Sequence, residues 1–357
     1  MHRRKFLGGL ATTTALTALP AWGQSADPVA IKPSRLKAGD TIGLVTPATY
    51  LTEEQLREAM EQFAQFGFKV RYTSNMLVRK GYLGGTDQQR ADDINQFFAD
   101  DTIQGIICGR GGYGSGRILP YLDYPVIKSH PKVFMGYSDI TAMLYAIHKN
   151  TGLVCFHGPM GTSDYNGYTT KYFKEVLMNP SENLVYENPT LEPLIPLAAD
   201  GAEMGDDASV AVANSLVTLA PGTAEGILMG GNLSLVASLN GTAYDVDMRG
   251  KLVFLEEVGE APYRVDRMLT QLLLDPTKLP AAAGVVLGVF SDCEAEDESK
   301  SLSLAQVLYD RLANLGIPVL YGVSFGHIKQ NTTLPVGVRA RLDASQKTLT
   351  LLERAVQ

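Results

Sequence analysis

Between Asp40 and Gly152 the chain alternates short apolar runs with stretches of helical period, and this alternation restricts the fold more than any other feature. "DTIGLVTPA" ends beyond Pro47 and gives way to "TEEQLREAMEQFAQFGF", whose apolar residues recur at helical spacing behind Thr52, a residue suited to an N-cap. "KVRYTSN" reads as the next strand and "TDQQRADDINQFFAD" as a helix entered at Thr86. "TIQGIICG" and "KVFMGYSD" read as buried strands, the second leading into the helical "ITAMLYAIHKNTG". Strands that take turns with helices build a parallel α/β sheet, and such sheets bind ligands at the carboxyl ends of their strands.

The character changes near Asn179, where "NPSENLVYENPTLEPLIPLAADGAEMGDDASVAVANS" carries several prolines and acids and no long helical period. We therefore expect an N-terminal α/β domain over 30–178, a connector over 179–222 and a C-terminal domain over 223–357. In the last of these, short strands with glycine turns dominate, with two helices around Tyr263 to Leu274 and Leu304 to Leu315.

The start of the chain has another purpose. "MHRRKFLGGLATTTALTALPAWGQ" has a basic start (Arg3, Arg4, Lys5), an apolar stretch and small residues at Ala21 and Gly23, the layout of a signal peptide over 1–23. The paired arginines before a mildly apolar stretch resemble a twin-arginine signal, so export of a folded protein to the periplasm is expected. The stretch is shorter than the roughly 20 residues that span a bilayer, so no stable membrane span remains after cleavage. The formal charge of −7 becomes more acidic once those three cations leave. A chain of that sign is a poor nucleic-acid binder, because that affinity rests on phosphate neutralisation. Three cysteines without metal-ligand spacing imply neither a disulfide framework nor a metal site; Cys108 and Cys155 lie in apolar runs and read as core.

Catalytic bases are scarce. Of five histidines, His2 leaves with the signal, His148 lies on a helix and His130 in a charged loop; His157 and His327 each stand beside a glycine at the end of an apolar run. Ser138 in "VFMGYSDIT" sits on a strand-to-helix turn, where a serine is held exposed and the following N–H faces a forming oxyanion. Ile140 replaces the second glycine of the full nucleophile elbow, so Ser138 and Asp139 as N-caps is an equal reading. "KLVFLEEVGEAPYR" offers Glu256, Glu257 and Glu260 as the acid that orients a histidine. Strand alternation sends Glu256 and Glu257 to opposite faces, and an acid emerging directly from "LVFL" has the stronger claim to a buried role. Ser138, Glu256 and His327 together would form a triad divided between the two halves of the chain.

A further motif points elsewhere. Gly109, Gly111 and Gly114 in "GIICGRGGYGSGR" have the G-x-G-x-x-G spacing of a dinucleotide-binding turn, so a nucleotide-binding protein is the rival from another class. Such a turn follows the first strand of its domain. Here "GLVTPATYL" occupies that place without a glycine cluster, and "GRGGYGSGR" lacks the Lys-Ser/Thr ending of a P-loop.

Six segments in order, "RGGYGSGRILPYLDY", "KVFMGYSDITAM", "FHGPM", "GILMGGNLSLVASLNGT", "LVFLEEVGEAPYRVDRMLTQL" and "FGHIKQNTTLPVG", resemble the LD-carboxypeptidases, or muramoyltetrapeptide carboxypeptidases. This serine peptidase family also contains the microcin C immunity peptidases. The resemblance implies Ser138 as nucleophile, Glu256 as the orienting acid and His327 as base. It implies Gly112 and Asp139 as backbone donors of the oxyanion hole, which reassigns the glycines from a phosphate to a transient oxyanion. It also implies a flavodoxin-like or Rossmann-like parallel-sheet domain followed by a C-terminal β-barrel-like domain with helices, no metal, no cofactor, and a homodimer. The implied substrate is a murein tetrapeptide, from which terminal D-alanine is released. Its free carboxylate suits an arginine fork, for which Arg110 and Arg264 are candidates, with Gly111 and Tyr113 as further substrate contacts. The alternative readings are that Arg110 braces the loop and that Arg264 or Arg267 only lines a helix. An exported chain with a long acidic connector departs from the family's usual cytoplasmic pattern. The rival within the family is an immunity-like peptidase that cuts a peptidyl-nucleotide amide.

Overall fold

The computed structural model describes residues 28–189 and 216–357; the signal segment and residues 190–215 of the expected connector lie outside the described residues. In chain order the first half comprises β1 (Thr41–Val45), α1 (Glu53–Ala64), β2 (Lys69–Tyr72), α2 (Asp87–Ala99), β3 (Gly105–Cys108), α3 (Tyr124–Ser129), β4 (Val133–Gly136), α4 (Thr141–Thr151), β5 (Cys155–His157) and α5 (Gly167–Leu177). The second half adds β6 (Leu184–Tyr186), β7 (Val217–Ala220), β8 (Thr223–Asn232), α6 (Leu233–Leu239), β9 (Leu252–Val258), α7 (Pro262–Leu274), β10 (Gly284–Ser291), α8 (Leu304–Leu312), β11 (Val319–Tyr321), β12 (Leu334–Val336), β13 (Arg339–Asp343) and β14 (Thr348–Leu351).

The helix starts follow from the sequence. Thr52, Thr86 and Ser303 each accept a bond from the backbone N–H three residues on, and the side-chain oxygen of the glutamine there, Gln55, Gln89 or Gln306, accepts from the cap's own N–H. Gly152 ends α4 in the left-handed region at φ 82°.

The first sheet has the order β12-β5-β4-β3-β1-β2, its first five strands in chain order parallel. β3 and β4 are buried at every position, as strands covered on both faces by helices must be. β12 comes from the far end of the chain and pairs antiparallel with β5, Leu334 opposite His157. The second sheet has the order β6-β14-β13-β8-β9-β10-β11-β7, with a parallel centre from β8 to β11 and antiparallel flanks. Its two edge strands come from the stretch expected as connector, on either side of residues 190–215.

α6 is a helix where only glycine-turned strands were expected. At seven residues it is too short to display a period, and Asn232 starts it by accepting from the Leu235 N–H. The halves meet where the end of β8 approaches the start of α4. The Asn232 N–H donates to Thr141 Oγ1 at 3.0 Å, and a Cβ on Gly231 would stand 2.5 Å from that oxygen. Only glycine permits the approach.

Candidate active site

Register brings the site together at the carboxyl ends of both parallel sets. Gly136, two residues before Ser138, lies opposite His157 on β5; Asn232 at the end of β8 lies opposite Glu256; an isolated bridge sets Gly326, which precedes His327, against Val289 of β10.

Ser138 opens a short 3-10 turn (Ser138–Ile140) with φ 62°, a left-handed conformation that a serine adopts at a cost of about 1–3 kcal/mol. The surroundings impose it. Gly136 packs under Ile140, where a Cβ would meet a side-chain carbon at 2.8 Å, and Gly111 faces the serine, its own Cβ position 3.2 Å from Ser138 Oγ. Neither Ser138 nor Asp139 caps a helix. Asp139 is buried, accepts from the Ser115 N–H at 2.7 Å and, through its carbonyl, from Ser115 Oγ at 2.5 Å. Burial pushes its carboxyl up. The residue after the serine is thereby tied to the end of the glycine-rich loop.

That loop is fixed at both ends. Gly112 has φ 111°, and a Cβ there would stand 2.2 Å from Thr49 Oγ1. The Thr49 N–H donates to the Gly111 carbonyl at 3.3 Å, and the Tyr113 N–H reaches Thr49 Oγ1 at 3.4 Å. From beneath, Arg90 of α2, 1% exposed, donates to the carbonyls of Gly114 and Pro47 and pairs with Asp87 at 2.5 Å. Asp87 in turn holds Arg117 at 2.8 Å, and the two guanidiniums draw its carboxyl down to about 2. Arg90 is not among the residues expected at the site, although a signal was present: with Ile94 and Phe97 it completes an i, i+4, i+7 stripe that is otherwise apolar.

The three candidate acids separate cleanly. Glu256 is fully buried, and its Oε2 accepts from His327 Nδ1 at 2.7 Å. Glu257, on the opposite face, accepts from Asn232 Nδ2 at 2.9 Å and the Ser234 N–H at 2.8 Å, and so holds the start of α6. Glu260 pairs with Arg264 at 3.2 Å. Burial alone would raise the Glu256 carboxyl, but His157 and His327 outweigh it and hold the group at about 2. For Glu257 burial wins and the carboxyl is raised. Burial also works against charge on His327, yet its bond to Glu256 and the charges of Glu256 and Glu257 leave that imidazole above its ordinary value.

Of the histidines, His148 is a core residue of α4 with Nδ1 3.1 Å from the Leu153 carbonyl, and His130 is half-buried beside Val126. His157 and His327 both face Glu256, with His157 Nε2 3.7 Å from Oε1. Tyr137, which precedes the serine, stacks edge-on against both imidazoles, at 5.0 Å from His327 and 5.9 Å from His157.

The expected substrate contacts divide. Arg110 is half-buried at the start of the glycine loop and makes no salt bridge among the described residues. Arg264 is engaged locally, by Glu260 and by the hydroxyl of Tyr263 at 3.0 Å. Tyr113 is 57% exposed and lies edge-on to the equally open Tyr82, ring centres 5.7 Å apart. Among the described residues no group of histidine, cysteine and acid side chains could hold a metal ion. The three cysteines are free and buried, and no described helix is long and apolar enough to cross a membrane.

A buried carboxylate on a histidine whose ring packs against Tyr137, the residue before a strained serine whose turn adjoins a glycine-rich loop, can support nucleophilic acyl transfer. Comparison with known proteins agrees in kind. Residues 42–158 match the LD-carboxypeptidase N-terminal domain and residues 225–342 the LD-carboxypeptidase C-terminal domain. A Bacillus subtilis (strain 168) protein named "Probable murein peptide carboxypeptidase" is 38% identical over 89% of this chain and 93% of its own length. The murein tetrapeptide carboxypeptidase of Pseudomonas aeruginosa is 30% identical over 85% of this chain and 94% of its own. The solved structure of MccF in complex with glutamyl sulfamoyl guanosine has a TM-score of 0.76 at 25% identity, covering 91% of this chain and 99% of that one.

Proposed function

Because the chain belongs to the LD-carboxypeptidase family, we propose that it is a serine carboxypeptidase that releases terminal D-alanine from murein tetrapeptides, cutting the bond between the L-centre of the diamino acid and D-Ala. The observation that carries this reading is the 2.7 Å bond between His327 Nδ1 and a fully buried Glu256, in a fold that also strains a half-buried Ser138 into a left-handed turn.

The tautomer follows from the charge. With Glu256 held ionised, it can only accept, so His327 Nδ1 carries the hydrogen and Nε2 keeps the lone pair. Nε2 takes the proton of Ser138 as Oγ attacks the carbonyl carbon; the negative charge on the carbonyl oxygen rests on the N–H groups of Gly112 and Asp139. Collapse returns the proton to the leaving amine of D-alanine and leaves an acyl-serine. Water, deprotonated by His327, then releases the shortened peptide and restores Ser138. Arg110 is the better candidate for the terminal carboxylate, since the guanidinium of Arg264 is already paired.

A murein tetrapeptide and its all-L-terminated analogue, incubated with the purified protein, test this reading by mass detection of the released residue. Release of D-alanine from the first alone, lost in Ser138→Ala while the fold persists, is the expected result; full activity in that variant removes the assignment. Strong inactivation by a chelator would place the protein in another hydrolase class.

A second reading, cleavage of a peptidyl-nucleotide amide, is favoured by the exposed Tyr82–Tyr113 pair, on which a base could stack, and by the likeness to MccF. A sulfamoyl-nucleoside conjugate offered in competition with the tetrapeptide separates the two by which substrate has the higher kcat/KM. The first 23 residues support export by the twin-arginine route, so the murein peptides are met in the periplasm. The active form is a homodimer, as the family resemblance implies; sedimentation of the mature chain at micromolar concentration tests it.

A further inference from the structure

Glu256 has two carboxylate oxygens, and the triad uses one. Oε2 is bonded to His327; Oε1 has no hydrogen-bond partner among the described residues and faces His157 Nε2 at 3.7 Å. Both residues are fully buried. Neither ring nitrogen of His157 has a hydrogen-bond partner among the described residues, and the ring lies among the rings of Tyr137, Phe254 and Phe325 with centres 5.4–6.0 Å away. A buried N–H in apolar surroundings gains by facing an acceptor within reach. For Nε2, Oε1 is such an acceptor, and a movement of about 0.7 Å would close the separation to hydrogen-bond length.

We propose that His157 is a positioning residue for the acid of the triad, presenting an Nε2–H to Glu256 Oε1, so that one buried carboxylate is held between two imidazoles. His327 Nδ1–H approaches one oxygen and His157 Nε2–H the other, which fixes the rotation of the carboxylate and divides its negative charge between two donors. The inference rests on the triad reading. The groups that face this assembly are Glu256 and Glu257 from β9, Tyr137 from the turn after β4, His157 from β5, and the buried Cys293 thiol beyond β10, whose ionisation Glu256 and Glu257 both oppose. None of these is a cation that could replace the lost donor.

The sign of the effect is fixed. Without the N–H on Oε1, the carboxylate becomes a stronger acceptor for His327, which then keeps its proton to higher pH. The acidic limb of the kcat/KM profile should move up by about half a unit in His157→Phe and His157→Leu, with kcat down about tenfold and KM little changed. His157→Gln, whose amide N–H can reach the place of Nε2, should bring the limb back. Loss of packing alone would lower the melting temperature without moving the limb. An unmoved limb in either folded apolar variant overturns the proposal. If neither variant folds, nitrogen NMR of the unaltered protein decides: the expected species is the Nε2–H tautomer of His157, and an Nδ1–H tautomer overturns it. A Ser138→Ala protein that kept its activity would sink the triad reading instead, while the tautomer of His157 would still be readable.

Discussion

The two halves of the candidate site are built on different physics. On the side of the first sheet, backbone conformation does the work: Ser138 is held at φ 62°, Gly112 at φ 111° and Gly111 against the serine. On the second, charge and burial do it: adjacent residues of β9, both buried, send one carboxylate to two histidines and the other to the start of a helix. A nucleophile must be placed and an oxyanion met by N–H groups, which are backbone problems. A base must be given a tautomer and a pKa, which is a matter of electrostatics.

The largest test acts on the electrostatic half alone. Glu256→Gln keeps shape and packing but can turn an amide N–H toward His327 Nδ1, which then gives up its hydrogen and leaves Nε2 protonated. In serine triads this wrong tautomer costs about 10⁴ in rate, and a loss of that order in kcat, with KM nearly constant, is expected here. A loss under about tenfold would mean that the acid is not part of the machinery. Against it stands Gly112→Ala on the backbone half. A methyl group there meets Thr49 Oγ1 at 2.2 Å and requires a conformation that alanine disfavours, so the proposed oxyanion donor is displaced, and a loss of about 10²-fold in kcat is expected. Adding Thr49→Gly restores the space but not the φ, so recovery should be partial; full recovery would show that space alone was at issue.

This division also explains what could be read in advance. Backbone features leave local marks. Thr52 and Thr86 announced their helices, and the strand-turn-helix around Ser138 was visible from "VFMGYSDIT". Long-range features leave few. Glu256, Glu257 and Glu260 look alike in sequence; what separates them is a histidine 71 residues away for the first, Asn232 and Ser234 for the second and Arg264 for the third. Nothing local to His157 or His327 separates them for the same reason, since both answer to one carboxylate on β9, and it is the family resemblance that singles out His327. β12 joins the first sheet from the far end of the chain, and three apolar residues give no sign of their partner. Arg90 was legible by helical phase, but a lone arginine on a surface-type helix is ordinarily read as solvent-facing.

The next effect is a shift in pH rather than a loss. As the proposed base His327 must be neutral to act, so activity should fall as the pH drops through its pKa. Burial resists the charge, but Glu256 and Glu257 raise the group above its ordinary 6.5. The midpoint of the acidic limb of kcat/KM should therefore lie above 6.5 in the unaltered protein and move down in Glu256→Gln, which removes the stronger of the two charges. A midpoint below 6.5 would show that burial outweighs the carboxylates at this histidine.

The smallest catalytic effect is expected next door, at Glu257→Gln. Its carboxylate touches α6 and not the base, so kcat should stay within about twofold, while an amide facing the Ser234 N–H or the Asn232 amide leaves a buried donor unpaired at about 1–3 kcal/mol of stability. The two neighbours should also separate by the pH dependence of that stability. Glu256 is depressed in the fold, so its contribution is complete above its ordinary 4.5 and is lost as the pH falls toward 2; the gap between the parent and Glu256→Gln narrows toward acid. Glu257 is raised, so ionising it weakens the fold as the pH climbs from 4.5; the gap between the parent and Glu257→Gln narrows in the other direction. Urea unfolding of both variants across pH 3 to 7 reads the two slopes. Equal slopes would mean that the strand does not distinguish its two faces, and the separation of an acid for the triad from an acid for the fold would fail.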